Sequence, residues 1–305
     1  MRHRMKALLG GLALALLVVA VAAGCGGSKK SSSTTTVQTT TTAASSGANA
    51  TVVALVPAKF KTKTLKVAAD ATYAPNEFIA SNGHTVVGMD PDLAKALAAV
   101  MGIKVAVVNA TFDSIIPGLA AGKYDLGMSS FTDTKARQKV VDFVTYFSAG
   151  TSFYVKAMGG PTINSLADLC GHSVGVERGT TQEMDATAQN AKCKKAGKPG
   201  VKVNVYPDQN AANLSISSGR SEVGMADSPV AAYIVKQSNG QFKLTGKPYN
   251  TAPYGIAIPK GSGLDKPILA ALKVLMQNGK YKTIMTKWGI QEGVINNPKI
   301  NGAIS

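Results

Sequence analysis

"FDSIIPGLAAGKYDLGMSSFTDTKARQ", Phe112 to Gln138, reads as a helix, a strand and the opening of a second helix, joined by short connections. Asp113 stands where a carboxylate can cap "SIIPGLAAG", and Gly122 closes that helix. "YDLGMSS" is an apolar strand whose end carries Ser129 and Ser130, followed by Thr132 and then Arg137 in "TDTKARQKV". A helix leading straight into a buried strand is the repeating unit of a parallel sheet. Hydroxyls and a guanidinium gathered where that strand ends are the groups a carboxylate ligand needs, because arginine's planar fork meets a carboxylate with two hydrogen bonds.

Strands and helices alternate on both sides of this stretch. Upstream lie the strand "LKVAAD" (Leu65 to Asp70), the helix "GMDPDLAKALAAVMG" and the strand "IKVAVVN". In that helix Asp90 reads as N-cap, Pro91 as the first helical residue and Gly102 as the stop. Downstream the alternation restarts with "HSVGVE", "GTTQEMDATAQNA", "VKVNVY", "NAANLSISSG", "EVGMAD" and "SPVAAYIVKQ". The strand "YGIAIPKG" and the helices "LDKPILAALKVLMQNG" and "YKTIMTKWG" then close the chain as a return to the first unit. The expected architecture is α/β, in two small units.

At 305 residues, 45% of them apolar, the chain can bury a substantial core. Its formal charge of +16 would draw attention to nucleic acid, but half of that excess belongs to eight basic residues before Thr64, and the earliest acid is Asp70. No RNP-like aromatic pattern, zinc spacing or Arg-rich helix accompanies the charge, so nucleic-acid binding is set aside. "MRHRMK" followed by "ALLGGLALALLVVAVAAG" is a cationic, then apolar leader, and "VAAGC" resembles a bacterial lipobox with Ala22 in place of the more common Leu. On that reading Cys25 is lipidated and anchors the protein to the outer face of the bacterial cell membrane, palmitate being among the expected acyl groups. The "SSSTTTVQTTTTAASSGANAT" tract that follows cannot bury a core and reads as a flexible linker of about 30–35 Å. Cys170 and Cys193, in one half of an exported chain, are expected to form a disulfide, two buried thiols being the alternative. Neither cysteine has histidines at metal-ligand spacing, and no metal or other cofactor is expected.

The motifs "DATYAPNEF", "GMDPDLAKALA", "FDSIIPGLAAGKYDL", "TDTKARQKVVDF", "VGVERGTTQE", "GRSEVGMADSPVAAY" and "PYGIAIPKGSGL" stand in the order and spacing of a known family. Together they resemble the extracytoplasmic solute-binding proteins of polar amino-acid ABC transporters (solute-binding protein family 3), here in lipoprotein form. The resemblance implies a periplasmic-binding-protein-like fold of two lobes joined by two crossover strands near residues 150–156 and 247–256. It divides the chain into a signal peptide (1–24), a lipidated cysteine and linker (25–63), lobe 1 (64–152 with 250–295), lobe 2 (153–249) and a tail (296–305).

For the site, the resemblance implies an amino acid held between the lobes. Arg137 matches the position that takes the ligand's α-carboxylate, with Ser130 and Thr132 completing its shell and Ser129 nearer the side chain. Gly179, Thr181 and Gln182, with Thr180, match a loop at a helix start that meets the carboxylate from lobe 2, where backbone N–H groups favour an anion. Asp227 matches the acid for the α-ammonium, a role compatible with capping "SPVAAYIVKQ". Tyr73 and Phe112 match aromatic walls, and Asp70 an acid near the pocket. Glu177, with Asp70, points to a cationic ligand: arginine, lysine, ornithine or histidine. Asn76, where an aromatic is common, implies a more polar wall and keeps glutamine open, and Asp133 is placed to cap the helix that carries Arg137.

The expected partners are a free L-amino acid and an importer whose permease and ATPase are separate chains, with this chain a monomer and not an enzyme. The rival is a cyclohexadienyl or arogenate dehydratase-like enzyme on the same scaffold, with Glu177 or Asp70 as general acid.

Overall fold

The computed structural model describes residues 47–303. One sheet runs through both lobes. Its strands are β1 (Thr64–Ala69), β5 (Lys104–Asn109), β6 (Leu126–Gly127), β7 (Val141–Lys156), β8 (Ser173–Glu177), β9 (Lys202–Tyr206), β10 (Val223–Asp227) and β11 (Phe242–Pro259). Their order is β5-β1-β6-β11-β7-β10-β8-β9. A small sheet of β2 (Thr72–Tyr73), β3 (Glu77–Ile79) and β4 (Val86–Val87) folds beside β1. The helices are α1 (Ala50–Leu55), α2 (Ala58–Lys61), α3 (Met89–Met101), α4 (Phe112–Ala120), α5 (Thr181–Lys195), α6 (Gln209–Ser217), α7 (Ser228–Gln237), α8 (Asp265–Gln277) and α9 (Lys280–Lys287).

The two long antiparallel strands β7 and β11 are the expected crossovers. Their outer halves, from Val141 to Ala149 and from Ala252 to Pro259, pair within lobe 1; the halves around Phe153 and Thr245 pair within lobe 2. Between them the register shifts at Thr245/Tyr249 and Tyr249/Ala252. These irregularities leave less ladder to resist bending where the lobes must hinge. Gly150 lies in this passage, and a Cβ there would stand 2.7 Å from the Tyr249 carbonyl oxygen, so the two strands can run this close only beside glycine.

In lobe 1, β1 sits between β5 and β6 in parallel register, and the buried Leu65 and Val67 join Leu93 and Leu97 of α3 in the main core. Lobe 2 has its own core of Phe153, Val155, Val174, Val176, Val223 and Met225. Cys170 and Cys193 are bonded, with Cα atoms 5.6 Å apart, at the base of α5. A third cluster crosses the gap, seating Tyr73 of lobe 1 against Tyr154, Ile216 and Ala226.

Four expectations are corrected. The linker was expected to run to residue 63, but α1 and α2 occupy residues 50–61 and bury Val52, Val56 and Phe60 in the lobe 1 core. Burial of three such side chains, at about 1.5–3 kcal/mol each, is what orders so short a helical pair. The residues read as a tail from 296 also belong to lobe 1. Ile300 bridges Val144, the Thr145 N–H donates to the Lys299 carbonyl at 2.9 Å, and the Phe143 N–H donates to Asn301 Oδ1 at 2.8 Å. Asp90 does not cap α3: Gly88 does, at φ +134°, where a Cβ would meet the Asn76 carbonyl at 2.2 Å. Nor does Asp113 cap α4, which starts after Thr111.

The expected leader and Cys25 lie outside the described residues, among which no helix is long and apolar enough to cross a membrane.

Candidate functional site

The site forms where β1, β6 and α4 of lobe 1 end against α5 and β10 of lobe 2. Asp70 ends β1 and is locked by its neighbours: Oδ1 accepts from the Thr72 N–H (3.1 Å) and hydroxyl (2.6 Å), and Oδ2 accepts from the Phe112 N–H at 2.9 Å. Ser129 and Ser130 follow β6. The Ser129 hydroxyl accepts from the Asp70 N–H at 2.8 Å, so the two strand ends are tied together. Phe112 opens α4 and stacks on Phe131 with centroids 4.5 Å apart. Over both rings lies the guanidinium of half-buried Arg137, 5.3 and 5.4 Å from their centroids, a cation–π seat that fixes its plane.

Arg137 also joins the lobes. It donates to the Thr132 carbonyl at 2.9 Å and, across the gap, to the Gly179 carbonyl at 3.0 Å. Burial lowers its pKa to about 10, while the nearby Asp227 opposes that effect, so it stays charged at neutral pH. Further contacts hold the lobes together: the Asp227 N–H donates to the Tyr73 hydroxyl at 2.9 Å, and the Gln209 N–H to the Thr72 hydroxyl at 3.2 Å.

Lobe 2 supplies the acids and a helix end. The α5 N-cap is Thr180, whose hydroxyl accepts from the Glu183 N–H at 3.2 Å, leaving the first turn directed at the cavity. Asp227 occupies the N-cap position of α7 without capping it. Its carboxylate instead accepts from Gln182 Nε2 at 2.7 Å and from the Tyr254 hydroxyl at 2.7 Å. Burial raises its pKa to about 6 against these bonds. Glu177, 3% exposed, is raised well above the usual carboxylate range, first by burial and then by Asp70. Asp70 is itself raised by burial. The two carboxyls line the same cavity, and Glu177 Oε1 has no hydrogen-bond partner. Arg178, the next residue along the chain, reaches Asp113 at 4.0 Å rather than Glu177. No cation among the described residues lies within 4.0 Å of Asp70 or Glu177.

Asp70, Tyr73, Phe112, Ser129, Ser130, Thr132, Arg137, Glu177, Thr180, Thr181, Gln182 and Asp227 line one cavity. Of the expected residues, Gly179 and Asn76 fall outside this lining. The Gly179 N–H is taken by Glu183 Oε2 at 2.6 Å and its carbonyl by Arg137, so it serves as a joint at φ +77°. Asn76 is corrected: fully buried, it donates to the Ser130 hydroxyl at 2.9 Å and forms no wall. Asp133 accepts from the Gln138 side chain at 2.7 Å, and no side chain caps the 3-10 turn of Arg137–Lys139. The sequence reading missed Tyr254, which holds Asp227 from a crossover strand, and the buried Glu77 and Asp90 behind the serines. Only the distance along the chain hid them, since each acts on a partner far away in sequence.

A cavity shut between two hinged lobes, with an arginine and a helix N-terminus set against buried acids, defines a binding protein for a small charged solute. Residues 65–291 match the family described as bacterial extracellular solute-binding proteins, family 3, and the chain belongs to that family. The arginine-binding protein ArgT of Corynebacterium glutamicum is 33% identical over 252 residues, covering 82% of each chain. The solved structure of an ancestral arginine-binding protein bound to glutamine is similar with a TM-score of 0.69 and 40% identity, covering 74% of this chain and 98% of that one. An ancestral amino acid-binding protein described as a precursor of cyclohexadienyl dehydratase gives a TM-score of 0.66 at 37% identity, covering 74% and 95%.

Proposed function

We propose that the protein binds an L-amino acid with a cationic side chain, arginine foremost, by closing its lobes, and delivers it to an ABC importer whose permease and ATPase are separate chains. The observation that carries this reading is the facing pair Asp70 and Glu177, buried without a cation and with Glu177 Oε1 unpartnered. Two carboxyls so placed repel each other unless a positive group enters between them. In this reading Arg137, Ser130, Thr132 and the first turn of α5 receive the α-carboxylate. Asp227 takes the α-ammonium, Tyr73 and Phe112 flank the side chain, and Asp70 with Glu177 receive its cationic end. Two of the relatives are named as arginine-binding, one of them solved with glutamine bound, which supports an amino acid as the ligand.

Calorimetric titration of protein refolded from denaturant, against the common L-amino acids and ornithine, tests it. Binding at micromolar Kd or tighter, about −8 kcal/mol, confined to cationic amino acids is expected. Glutamine as sole ligand would refute the role of the acids, and no heat from any amino acid would refute the binding function.

A second reading has one observation behind it. Burial and Asp70 push the pKa of Glu177 up, towards the protonated state a general acid needs, and one structural neighbour is described as a dehydratase precursor. Release of an aromatic product from arogenate or prephenate would establish it; we infer binding without turnover. We further infer that Cys25 carries the lipid anchor outside the cytoplasm, which Cys25→Ala would abolish, releasing the protein from membranes.

A further inference from the structure

Behind the serines lies a second group of acids that no ligand would touch. Glu77 on β3 and Asp90 on α3 are both fully buried, and the structure brings them together: the Asp90 N–H donates to the Asn76 carbonyl at 2.9 Å, and both carboxyls accept hydrogen bonds from Ser130. Glu77 accepts from the Ser129 hydroxyl at 3.1 Å through Oε1 and from the Ser130 hydroxyl at 3.2 Å through Oε2. Asp90 Oδ2 accepts from the Ser130 N–H at 2.9 Å. Ser130 is held at φ +51°, a left-handed conformation that a non-glycine residue keeps only when its surroundings impose it. The other groups facing the pair are Asp70, Tyr73 and Tyr146, and no cation among the described residues lies within 4.0 Å of either carboxyl.

Two adjacent carboxylates without a cation cannot both stay ionised at this depth. Asp90 Oδ1 has no donor among the bonds present, and the Tyr146 hydroxyl beside it is also without a partner, so this oxygen is open to a proton carried by Glu77 or to that hydroxyl. Asp90 receives a backbone N–H and has Tyr146 beside it, and both favour its ionised form. We propose that Glu77 and Asp90 share one proton and act as a positioning pair: Asp90, as the anion, fixes the backbone turn at Ser130, and Glu77, as the neutral acid, orients both serine hydroxyls. The inference rests on the reading of Ser129 and Ser130 as ligand contacts. A neutral Glu77 also matters electrostatically, since a second negative charge directly behind the serines would repel an incoming carboxylate.

Four variants and an infrared spectrum test the pair. Glu77→Ala should weaken arginine binding roughly tenfold by freeing two hydroxyls, and Glu77→Gln should restore most of that loss, because an amide copies a neutral acid. Asp90→Asn should not restore the loss of Asp90→Ala, because the anion is what Ser130 requires. In alkaline solution, where the shared proton leaves, wild-type affinity should fall while that of Glu77→Gln stays level. Arginine-saturated wild type at neutral pH should show a protonated-carboxyl C=O band absent from Glu77→Gln. Identical infrared spectra would overturn the shared proton, and Glu77→Gln as weak as Glu77→Ala would overturn the neutral acid. If the wild type binds no arginine yet the band is present and lost in Glu77→Gln, the pair stands and the ligand reading falls.

Discussion

The two lobes equip the cavity differently. Lobe 1 brings side chains already fastened within itself: Asp70 by Thr72 and Phe112, the serines by Glu77 and Asp90, Arg137 by two aromatic rings. The acids of lobe 2 are fastened in part from across the gap or not at all. The Asp227 carboxylate is held by Gln182 within lobe 2 and by Tyr254 across the gap, while its N–H donates to Tyr73, and Glu177 keeps one oxygen free. The side chains of lobe 1 are thus held within the lobe, whereas in lobe 2 Asp227 gains a partner across the gap and Glu177 keeps one oxygen free even with the lobes together. Under the proposed binding function the difference separates encounter, set mainly by lobe 1, from specificity, set by what lobe 2 adds.

Substitutions can break this contrast, taken here in order of their effect on arginine affinity. Arg137→Ala removes the lobe 1 charge for the carboxylate and should cost about 3–4 kcal/mol, several-hundredfold in Kd by calorimetry. A loss below tenfold would mean that lobe 2 captures the ligand. Glu177→Gln should cost arginine about 2 kcal/mol and leave glutamine unharmed, so that the preference narrows or reverses. Equal losses for both ligands would deny lobe 2 its part in specificity. Asp227→Asn should weaken every amino acid more modestly, because its amide still offers one acceptor.

Asp227→Asn should also change the pH dependence of the ligand-free protein. The folded-state pKa of Asp227 is raised from 3.8 to about 6, so the stability it contributes is fully present below about 3.8 and lost as the pH rises through about 6. Its ionisation then costs up to about 3 kcal/mol. Asp227→Asn should accordingly melt higher than wild type at pH 7, with the gap closing near pH 4. A gap that persists in acid would assign the cost to something other than that charge. Least of all should binding respond to Cys170→Ser with Cys193→Ser. Loss of that bond should lower stability by about 3 kcal/mol while the Kd for arginine stays put, since the disulfide sits at the base of α5, away from the cavity lining.

The order of strands and helices was legible because each is periodic over its own length, and the cavity lining because its residues follow strand ends and helix starts in recognisable motifs. What escaped was decided at a distance. Asp90 next to a proline is a good local cap, yet its carboxylate bonds to Ser130, forty residues away, and α3 starts earlier on Gly88. Asn76 likewise turns inward to Ser130. The α1–α2 segment follows a Ser/Thr tract and has little helical strength of its own; only the lobe 1 core orders Val52, Val56 and Phe60. Ile300 and Asn301 were read as tail because their strand partner, β7, lies more than 140 residues upstream.

The separation of the cores along the chain bears on how the molecule assembles. The lobe 1 core draws on residues from Val52 to Ile290, whereas the buried residues of the lobe 2 core all lie between Phe153 and Met225, with Tyr249 packed against them. Contacts close in sequence form sooner than distant ones, so lobe 2 should be the earlier folding unit, though it is the inserted one. Lobe 1 must wait for α8, α9 and the strand partner at Ile300, which are synthesised after all of lobe 2. The half whose site side chains are fastened within itself is therefore completed after the half inserted into it.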